Sequence, residues 1–235
     1  ILVHGGPTGS VRTQLQLAVA YWTSRGFAVA DVDYRGSTGY GRSYRHRLRG
    51  GWGVIDVEDC VAAARHLAAS GRVDRDRLAI RGGSAGGFTV LAALAFHDVF
   101  SAGASRYGVA DLVALAADTH KFEARYLDRL VGEWPVEEAT YRERSPIHHA
   151  DRLSTPMLLL QGSEDRVVPP AQAHAMAAAL RQSGVPFALV EFEDEGHGFR
   201  KADNVVRALE AELTFFARCF DFEPADDLPP LEIQA

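Results

Sequence analysis

The chain has 235 residues, 47% of them hydrophobic, enough for one sizeable core and in keeping with a single α/β domain. Its 31 acidic and 25 basic residues give a formal net charge of -6, which excludes a bulk field drawing it to nucleic acid or an anionic membrane. Its expected partners are small or neutral molecules.

The opening residues Ile1, Leu2 and Val3 read as a buried strand running straight into the turn His4-Gly5-Gly6-Pro7. Because the chain begins in mid-strand without an initiator methionine, an upstream segment carrying further strands is expected in the natural protein. Further apolar or β-branched runs follow at 27–33, 78–82, 100–107, 156–161 and 187–192. Helical spacing lies between them: Val57, Cys60, Val61, Ala64 and Ala68; then Phe88, Leu91, Ala92 and Ala95; then Ala173, Met176, Ala177 and Leu180; and finally Val205, Leu209, Leu213, Phe216 and Phe220. This alternation predicts an α/β fold, a mostly parallel sheet with helices on both faces. Residues 111–152 lose the pattern and predict short helices and loops over one end of the sheet. The acidic, proline-bearing stretch 221–235 reads as a tail after a domain of residues 1–220.

Cys60 and Cys219 sit in apolar helical patterns, as buried free thiols do. No apolar run reaches the roughly 20 residues of a membrane span and no charged-then-apolar leader is read. A soluble, cytoplasmic protein is the expectation.

Gly82-Gly83-Ser84-Ala85-Gly86 matches G-x-S-x-G between a strand and a helix, the context in which that motif presents a nucleophilic serine. Glycines two residues either side relieve collisions at the strained turn. An ordinary N-cap serine is the bland alternative. A dinucleotide or phosphate loop fits less well, because the glycines do not follow G-x-G-x-x-G and no Gly-Lys-Ser/Thr follows.

A serine hydroxyl needs a base, and on this architecture the order is Ser, Asp or Glu, His. The strand at 156–161 runs into Gly162-Ser163-Glu164-Asp165, and the strand at 187–192 into Glu195-Gly196-His197-Gly198. Both loops leave carboxyl ends of strands, where ligand crevices form. Asp165 is thus the orienting carboxylate and His197 the base, with Glu164 and Asp194 as rival carboxylates. His66, His97, His148 and His149 fit no metal motif, and neither a metal nor another cofactor is expected. For the oxyanion, the Ala85 amide is one donor by position; the Gly6 amide and the Tyr40 phenol compete for the second place.

His4-Gly5-Gly6-Pro7, Tyr34-Arg35-Gly36-Ser37-Thr38-Gly39-Tyr40-Gly41, the Ser84 motif, Gly162-Ser163-Glu164-Asp165-Arg166-Val167-Val168-Pro169 and Glu195-Gly196-His197-Gly198-Phe199 occur in one order along the chain. Together they resemble the catalytic domain of the prolyl oligopeptidase family of serine peptidases, in its acylaminoacyl-peptidase and dipeptidyl-peptidase-like branch. The resemblance implies an α/β-hydrolase fold, the triad Ser84, Asp165 and His197, a Tyr40 hydroxyl on the oxyanion in many members, short peptide substrates, and a β-propeller before the domain. Some members hold a substrate carbonyl with an arginine two residues after the triad aspartate; Arg166 comes one residue after, so that role is not carried over. Tyr107, Val167 and Val168 are candidates to line the substrate pocket, and core packing explains them equally well. Arg42, Arg45, Arg47 and Arg49 offer either a docking strip or a solvated loop.

The expected activity is therefore hydrolysis of short peptides through an acyl-enzyme on Ser84. A carboxylesterase using the same triad and an inactive domain that keeps the fold are the alternatives.

Overall fold

The computed structural model describes residues 1–118 and 125–234. In chain order the elements are β1 (Leu2–Val3), α1 (Leu17–Thr23), β2 (Asp31–Val32), α2 (Gly41–Arg45), α3 (Ile55–Ala69), β3 (Ala79–Gly83), α4 (Ala85–Phe96), β4 (Ala102–Arg106), α5 (Leu112–Asp118), α6 (Tyr126–Leu130), α7 (Glu138–Arg144), β5 (Met157–Gly162), α8 (Pro170–Gln182), β6 (Phe187–Phe192) and α9 (Ala202–Phe220). Each strand run expected from the sequence contains a strand. The run at 27–33 shrinks to Asp31–Val32, because among the described residues β2 pairs with β1 alone and that ladder is two residues long. The helices at 17–23 and 41–45 were not expected: Leu15 and Leu17 are exposed while Trp22 is buried, so no apolar period marks that stretch.

The strands form one parallel sheet in the order β2-β1-β3-β4-β5-β6. Strand order reverses between β1 and β3, so the connections leaving these neighbours diverge to opposite sides and open a crevice at their carboxyl ends. Period-two alternation divides the core. Met157 and Leu159 of β5 face α3, α4 and α8, while Leu158 and Leu160 face Trp22 of α1 and Leu213 and Phe216 of α9. Helix α4 is apolar on nearly every side and lies fully inside the first layer.

The irregular region expected at 111–152 contains α5, α6, α7 and a 3₁₀ segment, Pro146–Arg152; its residues 119–124 lie outside the described ones. Leu112, Leu130 and Tyr141 join the core on the α4 side.

Residues 222–234 are not the free tail the sequence suggested. Phe222, Leu228, Leu231 and Ile233 pack against the second core layer, and Phe187 and Gln234 exchange backbone hydrogen bonds of 2.8 Å each. Apolar residues scattered among acids and prolines concealed this docking from a pattern-based reading. No described helix is long and apolar enough to cross a membrane.

Candidate active site

Ser84 stands between β3 and α4, as the N-cap of the helix, with φ 56° and ψ -122°, a backbone region costly for any residue with a side chain. Its amide donates to the Arg106 carbonyl at 2.9 Å, and its own carbonyl accepts the Phe88 amide at 3.0 Å. A Cβ on Gly82 would stand 2.6 Å from the Gly86 carbonyl, and one on Gly86 would strike the Val3 carbonyl. Backbones of β1, β3 and α4 thus meet where the motif has glycine, and the close approach holds the strained serine in place.

His197 joins two distant loops. Its Nε2 lies 2.8 Å from Ser84 Oγ and its Nδ1 lies 2.8 Å from Asp165 Oδ2. An ionised carboxylate only accepts, so the network assigns the ring proton to Nδ1 and leaves Nε2 to accept from the Ser84 hydroxyl. Asp165 is 3% exposed, and its other oxygen, Oδ1, accepts the amides of Val167 (2.8 Å) and Val168 (2.9 Å). The carboxylate is locked by an Asx-type turn as well as by the imidazole.

Of the two readings for Val168, substrate pocket or core, burial favours the core. Its side chain is 2% exposed and belongs to the core, and its carbonyl accepts from Gln161 Nε2. Val167 has an exposed side chain but contributes to the triad through its amide. Tyr107 sits beside the triad at φ 39°, its ring edge-on to His197 with centroids 4.9 Å apart. It also meets Phe199 edge-on at 5.3 Å, so an aromatic wall limits the swing of the imidazole.

The Ala85 amide is the first of α4, whose leading amides have no intrahelical acceptor. A Cβ on Gly5 would fall 3.5 Å from Ser84 Cβ, which places the turn after β1 against the nucleophile. Gly6 has φ +123°, and its amide donates to no protein acceptor among the described residues. Tyr34 Oη holds the turn by donating to the Pro7 carbonyl at 2.6 Å, and Tyr126 Oη donates to the Gly6 carbonyl at 3.1 Å.

Tyr40 departs from the expectation. It is 58% exposed and its hydroxyl donates to Asp33 Oδ2 at 2.6 Å, a bond that raises its pKa. The proton an oxyanion would need is engaged by a carboxylate seven residues upstream. Asp33 also accepts the Val11 amide at 2.8 Å.

The rival carboxylates Glu164 and Asp194 are exposed, and Asp194 pairs with Lys201 Nζ at 2.9 Å. Arg42, Arg45, Arg47 and Arg49 are exposed too. Cys60 and Cys219 are free thiols, and burial raises the pKa of both, that of Cys219 to about 11. Sequence reasoning missed Tyr126, Asp33 and the Val167 and Val168 amides. Only the last left a signal, an aspartate followed by a chain reversal into the proline-started α8.

A family model described as the prolyl oligopeptidase family matches residues 13–223. A solved structure described as a Mycobacterium tuberculosis puromycin-hydrolyzing peptidase is 54% identical, with a TM-score of 0.97, covering 100% of this chain and 36% of that one. Dipeptidyl peptidase family member 6 of Caenorhabditis elegans is 31% identical over 95% of this chain and 31% of its own length. Dipeptidyl aminopeptidase BIII of Pseudoxanthomonas mexicana is 31% identical over 93% of this chain and 33% of its own length. The chain therefore spans about a third of the length of the curated relatives it matches.

Proposed function

Since the chain belongs to the prolyl oligopeptidase family of serine peptidases, we propose that it hydrolyses short peptides and aminoacyl amides through an acyl-enzyme on Ser84. The observation that carries this reading is the bridge made by His197, 2.8 Å from Ser84 Oγ on one side and 2.8 Å from Asp165 Oδ2 on the other.

In this reading Ser84 Oγ attacks the substrate carbonyl carbon as His197 Nε2 takes the hydroxyl proton. Asp165 stabilises the resulting imidazolium, and the Ala85 and Gly6 amides receive the charge that develops on the carbonyl oxygen. His197 then gives its proton to the departing amine as the C–N bond breaks. Water, deprotonated by the same imidazole, cleaves the ester and restores Ser84. The 54% identity to a puromycin-hydrolyzing peptidase supports puromycin, an aminoacyl amide, as a substrate to try first.

A β-propeller ahead of this domain, screening the crevice so that only short chains enter, is part of the proposal and rests on the family resemblance. So is a cytoplasmic setting, which the two free thiols support.

The test is covalent labelling of the full-length protein with a fluorophosphonate. One equivalent on Ser84, abolished in Ser84→Ala, is expected. A folded protein that takes up no label overturns the reading. Turnover of aminoacyl-nitroanilides and puromycin is expected beside that of nitrophenyl esters; cleavage of esters alone would favour an esterase.

A further inference from the structure

Glu195, two residues before His197, has a carboxylate that the reaction does not use. The residue is 2% exposed, yet its side chain is fully partnered. Oε1 accepts the Lys201 amide at 2.8 Å, Asn204 Nδ2 at 3.0 Å and the Arg200 amide at 3.1 Å, while Oε2 accepts the Arg200 amide at 3.0 Å. All these donors stand at the entrance to the 19-residue helix α9. Burial alone would push the Glu195 pKa up, but the bonds from Asn204, Lys201 and Arg200 outweigh it and hold the pKa below the usual carboxylate range. An anion at a helix N-terminus is favoured by the helix dipole as well.

The backbone of the same residue reaches the other way. Its carbonyl accepts the Glu164 amide at 2.9 Å, next to Asp165. The carbonyls of Glu195 and Gly196 press so closely on Gly162 that no Cβ fits there. Between these anchors the chain folds back on itself, with Gly196 bridged to Gly198 around His197. A loop with glycine on both sides of the base has little stiffness of its own. Misplacing a reacting group by about 1 Å can cost roughly 10²-fold in rate, so something outside the loop must hold it.

We infer that Glu195 is the positioning residue of the triad: its buried carboxylate fastens the loop 195–201 to the start of α9, so that the imidazole of His197 spans the gap from Asp165 to Ser84. This inference rests on the reading of Ser84, Asp165 and His197 as a working triad.

The test uses the full-length protein and Glu195→Gln, which keeps the side-chain volume but sets an amide donor against backbone donors. Fluorophosphonate labelling and kcat are expected to fall by about 10²-fold with KM within about twofold. The downfield proton resonance of the His197 Nδ1–H···Asp165 pair is expected to shift or broaden, which a purely stabilising side chain would not cause. Asn204→Ala removes one donor and leaves the carboxylate in place; a smaller loss in the same direction is expected. Asp194→Asn breaks the exposed pair with Lys201 at the same helix end and is expected to leave the rates unchanged.

Glu195→Gln that is folded, labels at the wild-type rate and keeps the resonance overturns the inference. Should that variant not fold, wild-type rates in Asn204→Ala overturn it instead. A wild-type protein that takes no label defeats the triad itself, a result distinct from either.

Discussion

Arg106 sets its Nε and Nη2 on the two carboxylate oxygens of Glu212, each at 2.7 Å, and so ties β4 to α9. Arg81 of β3 reaches the same carboxylate at 2.9 Å. Burial opposes a charged Glu212, but the guanidiniums of Arg106 and Arg81 outweigh it and hold its pKa below the usual range. These strands lead into Ser84 and Tyr107, so the ion triad ties the strands that carry the site to α9. Glu212→Gln keeps the shape and leaves two buried cations without their counter-charge. A loss of about 3 to 5 kcal/mol is expected at neutral pH. Urea unfolding measures it, and a change below about 1 kcal/mol would show that the triad is not what joins these elements.

The second oxyanion donor can be separated by two substitutions. Tyr40→Phe removes a hydroxyl already donated to Asp33, and less than about a fivefold drop in kcat is expected. Gly6→Ala places a Cβ at φ +123°, 2.6 Å from the Gly9 amide and 2.8 Å from that of Thr8, and must shift the turn. On the order of 10² to 10³ in kcat should be lost. The reverse ranking would mean that the phenol leaves Asp33 during the reaction.

Asp56 connects α3 to the nucleophile helix. It is fully buried, takes the Gly53 amide at 2.7 Å and the Thr89 hydroxyl, and burial lifts its pKa to about 6. The folded state therefore holds this proton more tightly than the unfolded chain does, and stability falls as pH rises from about 4 to about 6, then levels off. The size is on the order of 3 kcal/mol for about two pKa units. Asp56→Asn can still accept from Gly53 and donate to Thr89, whose proton then goes to the Ala85 carbonyl, 3.1 Å away. Thermal melts from pH 4 to pH 7 are expected to lose that slope and to rise above wild type at pH 7. A slope that persists would assign it to another group.

The triad was legible because each member follows a strand whose apolar run is unmistakable, because Ser84 carries glycines that a close backbone approach demands, and because Gly198 after His197 takes φ +99°. The Tyr40 bond to Asp33 was not legible, for the opposite reason. Asp33 lies in the loop just after the short edge strand β2, and nothing in the spacing says which acceptor a loop phenol will find. Val168 stayed open between pocket and core because sequence cannot tell whether a valine after the aspartate offers its side chain or its amide. The helix at 17–23 stayed hidden because only Trp22 within it is buried, too little to create a period.

The bonds between Phe187 and Gln234 lie along β6, the last strand of the sheet. An outermost strand is where foreign chains add themselves, and here Gln234 bridges its first residue. Trimming back to Phe220 would uncover both that bridge and the oily strip beneath Leu231. Clumping through strand exchange, rather than any loss of chemistry, is the first fault such a shortened molecule would display.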